Sequence, residues 1–205
     1  SNINCVHNPI NAIRNVLFLG YDQSQTRLID LLIANGCKVD HTKDLIEEIE
    51  KYHLIVSFGY RHILHKKTIA RLGCPIFNLH ISYLPYNRGA HPNFWSFYDN
   101  TPSGVTIHLI DEGIDTGPIV YQRYVSFDKN ETTFTATHKR LVIEIENLFE
   151  QNVTKILNND WISNPQQGDG TVHLVKDLPP EFSSWDSVIK DEVKKLSVLR
   201  AIKHN

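Results

Sequence analysis

The chain contains 205 residues with a mass of 23.6 kDa, which is the size of one ordinary domain or of one domain with an appendage. Apolar residues make up 41% and charged residues 21%, a composition that permits a packed core and argues against wholesale disorder. The 21 Lys and Arg nearly balance the 23 Asp and Glu, which argues against a broad nucleic-acid surface. No stretch reaches the roughly 18 apolar residues of a membrane span.

The cysteines indicate a reducing compartment. Cys5, Cys37 and Cys74 are odd in number and show no CxxC spacing, so a disulfide framework and a Cys-based zinc site are both disfavoured. The N-terminal residues show no signal-peptide pattern. We therefore predict a cytoplasmic location.

The first 80 residues alternate predicted strands and helices. Short apolar runs predict buried strands at residues 15–20, 53–58 and 75–80. Helical spacing and glycine stop signals predict one helix from Asp22 towards Gly36 and another over residues 64–72. A short strand at residues 37–40 and a helix opened by the pair Asp44 and Glu47 are also expected. This alternation predicts an α/β fold built on a parallel sheet with right-handed crossovers.

The later part of the chain follows another pattern. Helices are predicted over Pro92–Tyr98, with proline in the first turn, and over Phe134–Leu157. Two strands are predicted between them, at residues 105–110 and 119–127. Residues 164–170 form a polar linker and residues 183–203 a terminal amphipathic helix docked on the main body. We divide the chain into a main domain of residues 1–160 and a C-terminal extension of residues 161–205.

Polar side chains gather at the end of the third long strand. Asn78 and His80 are two residues apart, so they project from the same face of the strand. Ligand sites of open α/β sheets lie beyond the carboxyl ends of the strands. The loop that follows contains Pro85, Gly89 and Pro92, and we expect it to form a cavity wall.

A second loop, IDEGIDTGP at residues 110–118, carries the carboxylates Asp111, Glu112 and Asp115. If it meets the strand end, one carboxylate orients the imidazole of His80 and raises its basicity. Taken singly, each residue has a structural explanation. His80 fits a structural or surface histidine, Asn78 a hydrogen-bonding residue at a strand end, and Asp115 a turn residue. His62 and His65 lack a third ligand at a recognisable spacing, so a solvated helix face is favoured there over a metal site.

Together, the two stretches resemble the formyltransferases that use 10-formyltetrahydrofolate, a family that includes methionyl-tRNA, glycinamide ribonucleotide and sugar N-formyltransferases. The family pattern is Asn-x-His-x-Ser-x-Leu-Pro, then Arg-Gly, then Asp-x-Gly-Pro. Here it reads NLHISYLP at residues 78–85, Arg88-Gly89, and DTGP at residues 115–118. The resemblance extends back through VSFGYRHIL at residues 56–64 and covers roughly residues 15–157.

The resemblance implies a Rossmann-like, mostly parallel sheet flanked by helices, with residues 1–160 as the catalytic domain. It implies 10-formyltetrahydrofolate as cosubstrate, no metal, and a catalytic trio of Asn78, His80 and Asp115. The implied cofactor-binding residues, largely through main chain, are Phe58, Gly59, Tyr60, Arg61, Ile110, Asp111, Glu112, Gly113 and Ile114. The implied substrate-binding residues are Ser82, Tyr83, Leu84, Pro85, Arg88 and Gly89.

Differences from the family pattern reduce the number of candidate acceptor substrates. The stretch from Gly20 to Ser24 lacks the Gly-rich phosphate loop of the glycinamide ribonucleotide enzymes. About 45 residues follow Trp161 without strong positive charge, which argues against a tRNA-binding domain. We therefore predict formyl transfer to a small amine, most naturally a nucleotide-linked amino sugar. The region between Gly36 and His53 is shorter than a full family core would need, so nucleotide binding at the acceptor site is left open. Whether the protein forms a homodimer is also left open.

Other functions stay open. They are methionyl-tRNA or glycinamide ribonucleotide formyltransferase-like activity, formyltetrahydrofolate hydrolysis, and folate binding without catalysis. Formyltetrahydrofolate hydrolysis is disfavoured because those hydrolases carry an extra N-terminal regulatory domain. Folate binding without catalysis is disfavoured because a binding module would not need Asn78, His80 and Asp115 together. A metal-dependent hydrolase that uses His80, His91 and a carboxylate is disfavoured because these residues lack a regular ligand spacing.

Overall fold

The structure, a computed structural model, describes residues 13–46 and 51–205. Its elements in chain order are β1 (Arg14–Gly20), α1 (Leu28–Ala34), β2 (Cys37–Thr42), β3 (Leu54–Phe58), α2 (Lys66–Leu72), β4 (Ile76–His80), β5 (Arg88–Gly89), α3 (Pro92–Tyr98), β6 (Gly104–Leu109), β7 (Ile119–Tyr124), α4 (Phe134–Leu157), β8 (Val172–His173), a 3-10 helix (Val175–Asp177) and α5 (Ile189–Lys203).

Six strands form the central sheet in the order β2-β1-β3-β4-β6-β7. The first three pairings are parallel, and the pairings of β4 with β6 and of β6 with β7 are antiparallel. The predicted α/β class with a mostly parallel sheet is confirmed. The short strands β5 and β8 form a separate parallel pair.

The sheet is covered on both faces, which explains why its inner strands are almost continuously apolar. Val16 and Phe18 of β1 point to one face, where they join the cluster that contains α1 and α4 residues such as Leu28 and Ile145. Leu17 and Leu19 point to the other face and pack in the cluster that includes Leu72 of α2. Helices on both faces therefore bury the alternate side chains of the same strand.

Some predicted boundaries shift for local reasons. The Asp22 amide donates to Gln25 Oε1 at 3.1 Å, but Asp22 Oδ1 accepts from the Ser24 amide at 2.9 Å and closes a turn, so α1 begins only at Leu28. The helix expected after Asp44 involves residues 47–50, which lie outside the described residues. The terminal helix begins at Ile189, later than predicted, since a turn joins Ser187 to Ser184 before it.

The segment after residue 160 packs on the main body. Ile189 and Leu196 of α5 join Phe94, Trp95 and Phe134 in a third apolar cluster. The strand β8 pairs with β5, so this segment also borders the loop that follows β4. The domain boundary at residue 160 stays a prediction.

The topology places a crevice at one edge of the sheet. β1 and β3 are adjacent strands, and the helices that follow them, α1 and α2, pack on opposite faces of the sheet. The ends of β1 and β3 therefore form a switch point, where ligands bind in open α/β sheets. Gly20 ends β1 with a φ of 106°, and a Cβ there would lie 2.1 Å from the Phe58 carbonyl oxygen. Glycine therefore lets the ends of β1 and β3 approach closely. In the described part of the chain, no helix has the length and apolar character to cross a membrane.

Candidate active site

A cavity of about 590 Å³ opens beyond the carboxyl ends of β1, β3 and β4. Tyr21 lines it from the residue after β1, and residues 58–61 line it from the end of β3. Asn78 and His80 enter from the end of β4, and Asp115 enters from the loop between β6 and β7. The structure thus brings together the three residues that the resemblance implies to be catalytic.

Asp115 is the centre of this group. Its Oδ1 accepts a hydrogen bond from Asn78 Nδ2 at 3.2 Å, and its Oδ2 accepts one from the Gly89 amide at 2.9 Å. His80 Nδ1 lies 3.6 Å from Oδ2. Asp115 has a φ of 52°, a left-handed conformation that Asp adopts more readily than most residues. The turn therefore directs a carboxylate back towards the end of β4.

Asp115 stays ionised in this setting. Burial raises the pKa of its carboxyl, but the positive charge of the His80 ring, a hydrogen bond and charge from His108, and the Gly89 amide outweigh burial and hold the pKa well below its usual range. The carboxylate is thus a fixed negative charge beside the imidazole of His80.

His108 is a member of the group that the sequence interpretation missed. It is 1% exposed and lies opposite Asn78 in the antiparallel pairing of β4 with β6. Its Nδ1–H donates to the Leu109 carbonyl at 2.8 Å, and its Nε2 lies 3.1 Å from Asn78 Nδ2 and 3.5 Å from Asp115 Oδ1. The sequence feature that could have identified His108 is the alternation of Thr106 and His108 in an otherwise apolar strand.

The orientation of His80 follows from its other nitrogen. His80 Nε2 lies 2.8 Å from the Asn87 carbonyl oxygen, which can only accept a hydrogen bond. Nε2 therefore carries a hydrogen, and Nδ1 is the nitrogen that faces Asp115. A hydrogen is present on Nδ1 only when the ring is an imidazolium.

The two segments implied to bind the cofactor lie side by side. Residues 58–61 line the cavity, and Tyr60 packs in the same apolar cluster as Ile110. The loop of residues 110–114 lies outside the cavity lining and is closed by hydrogen bonds from the Gly113 amide and Thr116 Oγ1 to Asp111 Oδ1. Glu112 Oε1 lies 3.3 Å from Lys66 Nζ.

The six residues implied to bind the substrate are placed differently. Gly89 lines the cavity, whereas the other five are not among its lining residues. Ser82 and Leu84 are buried, and Tyr83 stacks on Tyr124 with a centroid distance of 3.7 Å. The Pro85 carbonyl accepts from the Thr171 amide. Arg88 donates to Gln166 Oε1 at 2.7 Å and to the Asp169 carbonyl at 3.1 Å, so its charged group holds the C-terminal segment.

Aromatic side chains form another part of the wall, which the sequence interpretation also missed. Trp185 is 40% exposed and lies 5.1 Å from the His91 ring, measured between centroids. His138 and Thr135 line the cavity from the first turns of α4. Burial lowers the pKa values of His91 and His138, so both rings are held neutral at pH 7. The sequence feature that could have identified Trp185 is its position as a single tryptophan in the polar stretch EFSSWDS.

In the ranges 13–46 and 51–205, no three His, Cys, Asp or Glu side chains are grouped as metal ligands. The groups around the Asp115 carboxylate are the amide of Asn78 and the imidazoles of His80 and His108.

Comparisons with known proteins agree with this site. The formyl transferase family model matches residues 32–151. A dTDP-4-amino-4,6-dideoxyglucose formyltransferase of Mycobacterium tuberculosis is 29% identical over 141 residues, which cover 69% of this chain and 59% of that protein. A methionyl-tRNA formyltransferase of Thermodesulfovibrio yellowstonii is 35% identical over 124 residues, or 59% of this chain and 39% of that protein. The chain thus spans less than two thirds of the length of these relatives.

Among solved structures, the formyltransferase PseJ from Anoxybacillus kamchatkensis matches with a TM-score of 0.80 and 35% identity. The match covers 88% of this chain and 98% of that one, which was crystallised with UDP-4,6-dideoxy-4-formamido-L-AltNAc and tetrahydrofolate. The matched family model, the PseJ fold and the motif residues gathered around one cavity lead to the same conclusion: the chain belongs to the formyl transferase family.

Proposed function

We propose that the chain transfers the formyl group of 10-formyltetrahydrofolate to the amine of a nucleotide-linked amino sugar. The observation that carries the proposal is the convergence of Asn78, His80 and Asp115 on one cavity wall, at distances of 3.2 Å and 3.6 Å to the central carboxylate. PseJ, which resembles this chain over nearly its whole length, was crystallised with a formamido sugar nucleotide and tetrahydrofolate.

The first chemical step is attack of the amine nitrogen on the formyl carbon. A C–N bond forms and negative charge develops on the formyl oxygen. An imidazolium at His80 donates from Nδ1 to this oxygen, and the Asn78 amide donates to it as well. One such donor is typically worth about 3 kcal/mol in the transition state.

The Asn78 amide must change partners for this role. Its Nδ2 is within hydrogen-bonding distance of both Asp115 Oδ1 and His108 Nε2. A formyl oxygen therefore shares or replaces one of these two hydrogen bonds. His108 and Asp115 keep the amide aimed at the cavity until the substrate arrives.

The attacking nitrogen becomes cationic and has to lose a proton. Asp115 accepts it, directly or through a water, and stabilises the imidazolium of His80. Collapse of the tetrahedral intermediate then breaks the bond between the formyl carbon and N10 of the folate. The proton that Asp115 has taken up passes to N10, directly or through a water, which completes tetrahydrofolate and restores the carboxylate, so the step needs neither an oxidant nor a metal.

The two ligands occupy different parts of the cavity in this proposal. The folate lies against residues 58–61, which line the cavity. Contact of the folate with the loop of residues 110–114, which lies outside the cavity lining, stays a prediction. The acceptor lies towards His91 and Trp185, whose rings offer flat faces to a sugar or a base. The cytoplasmic location stays a prediction, and the oligomeric state stays open.

The test is turnover with 10-formyltetrahydrofolate and a panel of amines that contains UDP-linked and dTDP-linked 4-amino sugars, glycinamide ribonucleotide and methionyl-tRNA. We expect tetrahydrofolate release that depends on an amino sugar nucleotide, with a formamido product of the expected mass. A chelator should leave the rate unchanged.

Other outcomes would redirect the proposal. Release that is independent of every amine would show a hydrolase. Dependence on methionyl-tRNA or on glycinamide ribonucleotide would replace the acceptor class. Folate binding without release under any condition would show a non-catalytic module.

A further inference from the structure

His80 is held on the side away from Asp115 by the main chain of Asn87, which lies between the motif stretches 78–85 and Arg88-Gly89 but belongs to neither. The carbonyl that accepts from His80 Nε2 belongs to Asn87, which is completely buried and has a φ of 60°. Asn is one of the few residues that adopt this left-handed conformation readily. The position of one carbonyl group thus decides which imidazole nitrogen faces the cavity.

The Asn87 backbone is clamped by Thr171, which lies 84 residues later in the chain. The Asn87 amide donates to Thr171 Oγ1 at 2.8 Å, and this hydroxyl donates to Asn87 Oδ1 at 3.3 Å. The peptide unit between Asn87 and Arg88 is held at both ends, because its N–H donates to the Thr171 carbonyl at 2.9 Å and its C=O accepts from His80. Thr171 therefore contacts both peptide units that flank Asn87.

The remaining polar atom of Asn87 is also satisfied. Asn87 Nδ2 donates to Thr101 Oγ1 at 2.8 Å, from the segment between α3 and β6. The side chain thus lies between two threonine hydroxyls with no contact to water. Loss of either hydroxyl would leave a buried amide group without its partner, which is costly.

The position of Thr171 is itself fixed by close backbone contacts. Its amide donates to the Pro85 carbonyl at 3.1 Å. Gly170, with a φ of 63°, approaches that carbonyl so closely that a Cβ would lie 2.1 Å from the oxygen. The charged and titratable groups that face His80 are Asp115 and His108, whose ring lies 6.4 Å away, and neither contacts Thr171.

We propose that Thr171 is a positioning residue for His80 and acts through Asn87. Its hydroxyl holds the carbonyl that receives Nε2–H, so Nδ1 stays directed at Asp115 and at the reacting carbonyl. The effect of Thr171 on turnover rests on the proposed function. Its effect on the ring tautomer of His80 does not, because the tautomer is a property of the folded protein.

The kinetic test compares Thr171→Val, which replaces the hydroxyl with a methyl group, with Thr171→Ser, which keeps the hydroxyl. We expect Thr171→Val to lower kcat about tenfold with unchanged KM values, and Thr171→Ser to stay within about twofold of the parent. Thr101→Val removes the other hydroxyl that contacts Asn87 and should lower kcat in the same way.

The structural test uses the nitrogen chemical shifts of the His80 ring in labelled protein, assigned by the signals that His80→Gln removes. We expect the Nε2–H tautomer in the parent and in Thr171→Ser, and a mixture of tautomers in Thr171→Val. This measurement needs no substrate. If the tautomer changes as expected but no amine is formylated by the parent, the proposed function fails and the positioning role stands.

Two results would overturn the proposal. One is a Thr171→Val protein with the same kcat and His80 tautomer as Thr171→Ser. The other is a Thr171→Val protein whose kcat falls together with its melting temperature while the His80 tautomer stays unchanged. The second result would show that Thr171 supports the loop without orienting the imidazole.

Discussion

Two parts of the cavity wall differ in how their side chains are held in place. At the end of β4, the side chains of Asn78, His80 and Asp115 are held by hydrogen bonds to each other and to the main chain. At the aromatic part, His91 and Trp185 contact one another through their rings, and Trp185 is 40% exposed. We call these the fixed part and the aromatic part.

The difference matches what each part has to do in the proposed reaction. Groups that stabilise developing charge gain most when they are oriented before the substrate arrives. A surface that receives a variable sugar nucleotide gains more from flat, adaptable contact area. The fixed part should therefore control kcat and the aromatic part should control KM.

The largest expected effect is loss of turnover when the fixed part is changed. We expect His80→Ala and Asp115→Asn each to lower kcat by at least about 100-fold, since each removes a donor or a proton acceptor from the transition state. The measurement is amine-dependent release of tetrahydrofolate. Asp191→Asn, which changes an exposed carboxylate of α5, is the matched control and should leave the rate unchanged.

Far-UV circular dichroism of both variants should match that of the parent. Near-normal turnover in either variant would remove that residue from the mechanism and would end the distinction between the two parts.

A smaller effect is expected at the aromatic part. Trp185→Ala should raise the KM for the acceptor about tenfold and change kcat by less than about threefold, because the lost contacts act equally on ground state and transition state. Trp185→Phe keeps an aromatic face and should lie close to the parent. The KM for the folate should not change in either variant.

If Trp185→Ala lowered kcat more than it raised the acceptor KM, Trp185 would belong to the fixed part. An increase in the folate KM alone would exchange the two ligand positions that we propose.

The smallest expected effect concerns stability and pH. Burial lowers the pKa of His138, so below the unfolded pKa near 6.5 the unfolded chain binds more protons than the folded protein. This group therefore costs stability as the pH falls from 7 to 5, and His138→Gln should reduce that loss. Urea unfolding at the two pH values measures it.

Asp115 does not interfere in this window. Its pKa is lowered by folding, so the stability it contributes is present above the unfolded pKa near 3.9 and is lost only as the pH falls further. Equal pH dependence of stability in the parent and in His138→Gln would show that the ring is hydrated in the folded protein.

Much of the fold follows from local patterns. The helices Pro92–Tyr98 and Phe134–Leu157 begin and end where the sequence predicts, because proline in a first turn and a long apolar stripe are local signals. The α1 start was misplaced because Asp22 closes a turn instead of capping a helix. Capping residues and turn residues share the same side-chain chemistry, so sequence alone does not separate them.

The site was predictable in part. The motif residues Asn78, His80 and Asp115 are visible as short patterns, and the strand end of β4 is visible as an apolar run. The contact between Arg88 and Gln166 was not predictable, because Gln166 lies 78 residues later in the C-terminal segment. His108 was missed because one histidine in a strand carries no information about which strand lies opposite.

The amino-acid sequence by itself determined the strands and helices and the identity of the groups at the end of β4, since period, glycine stops and motif spacing are properties of neighbouring residues. Only the tertiary structure decided that His108 faces Asn78, that Trp185 reaches the cavity, and that Thr171 clamps the carbonyl behind His80. These contacts join residues far apart in the chain, and their existence depends on strand register and on the packing of the C-terminal segment, which no local pattern encodes.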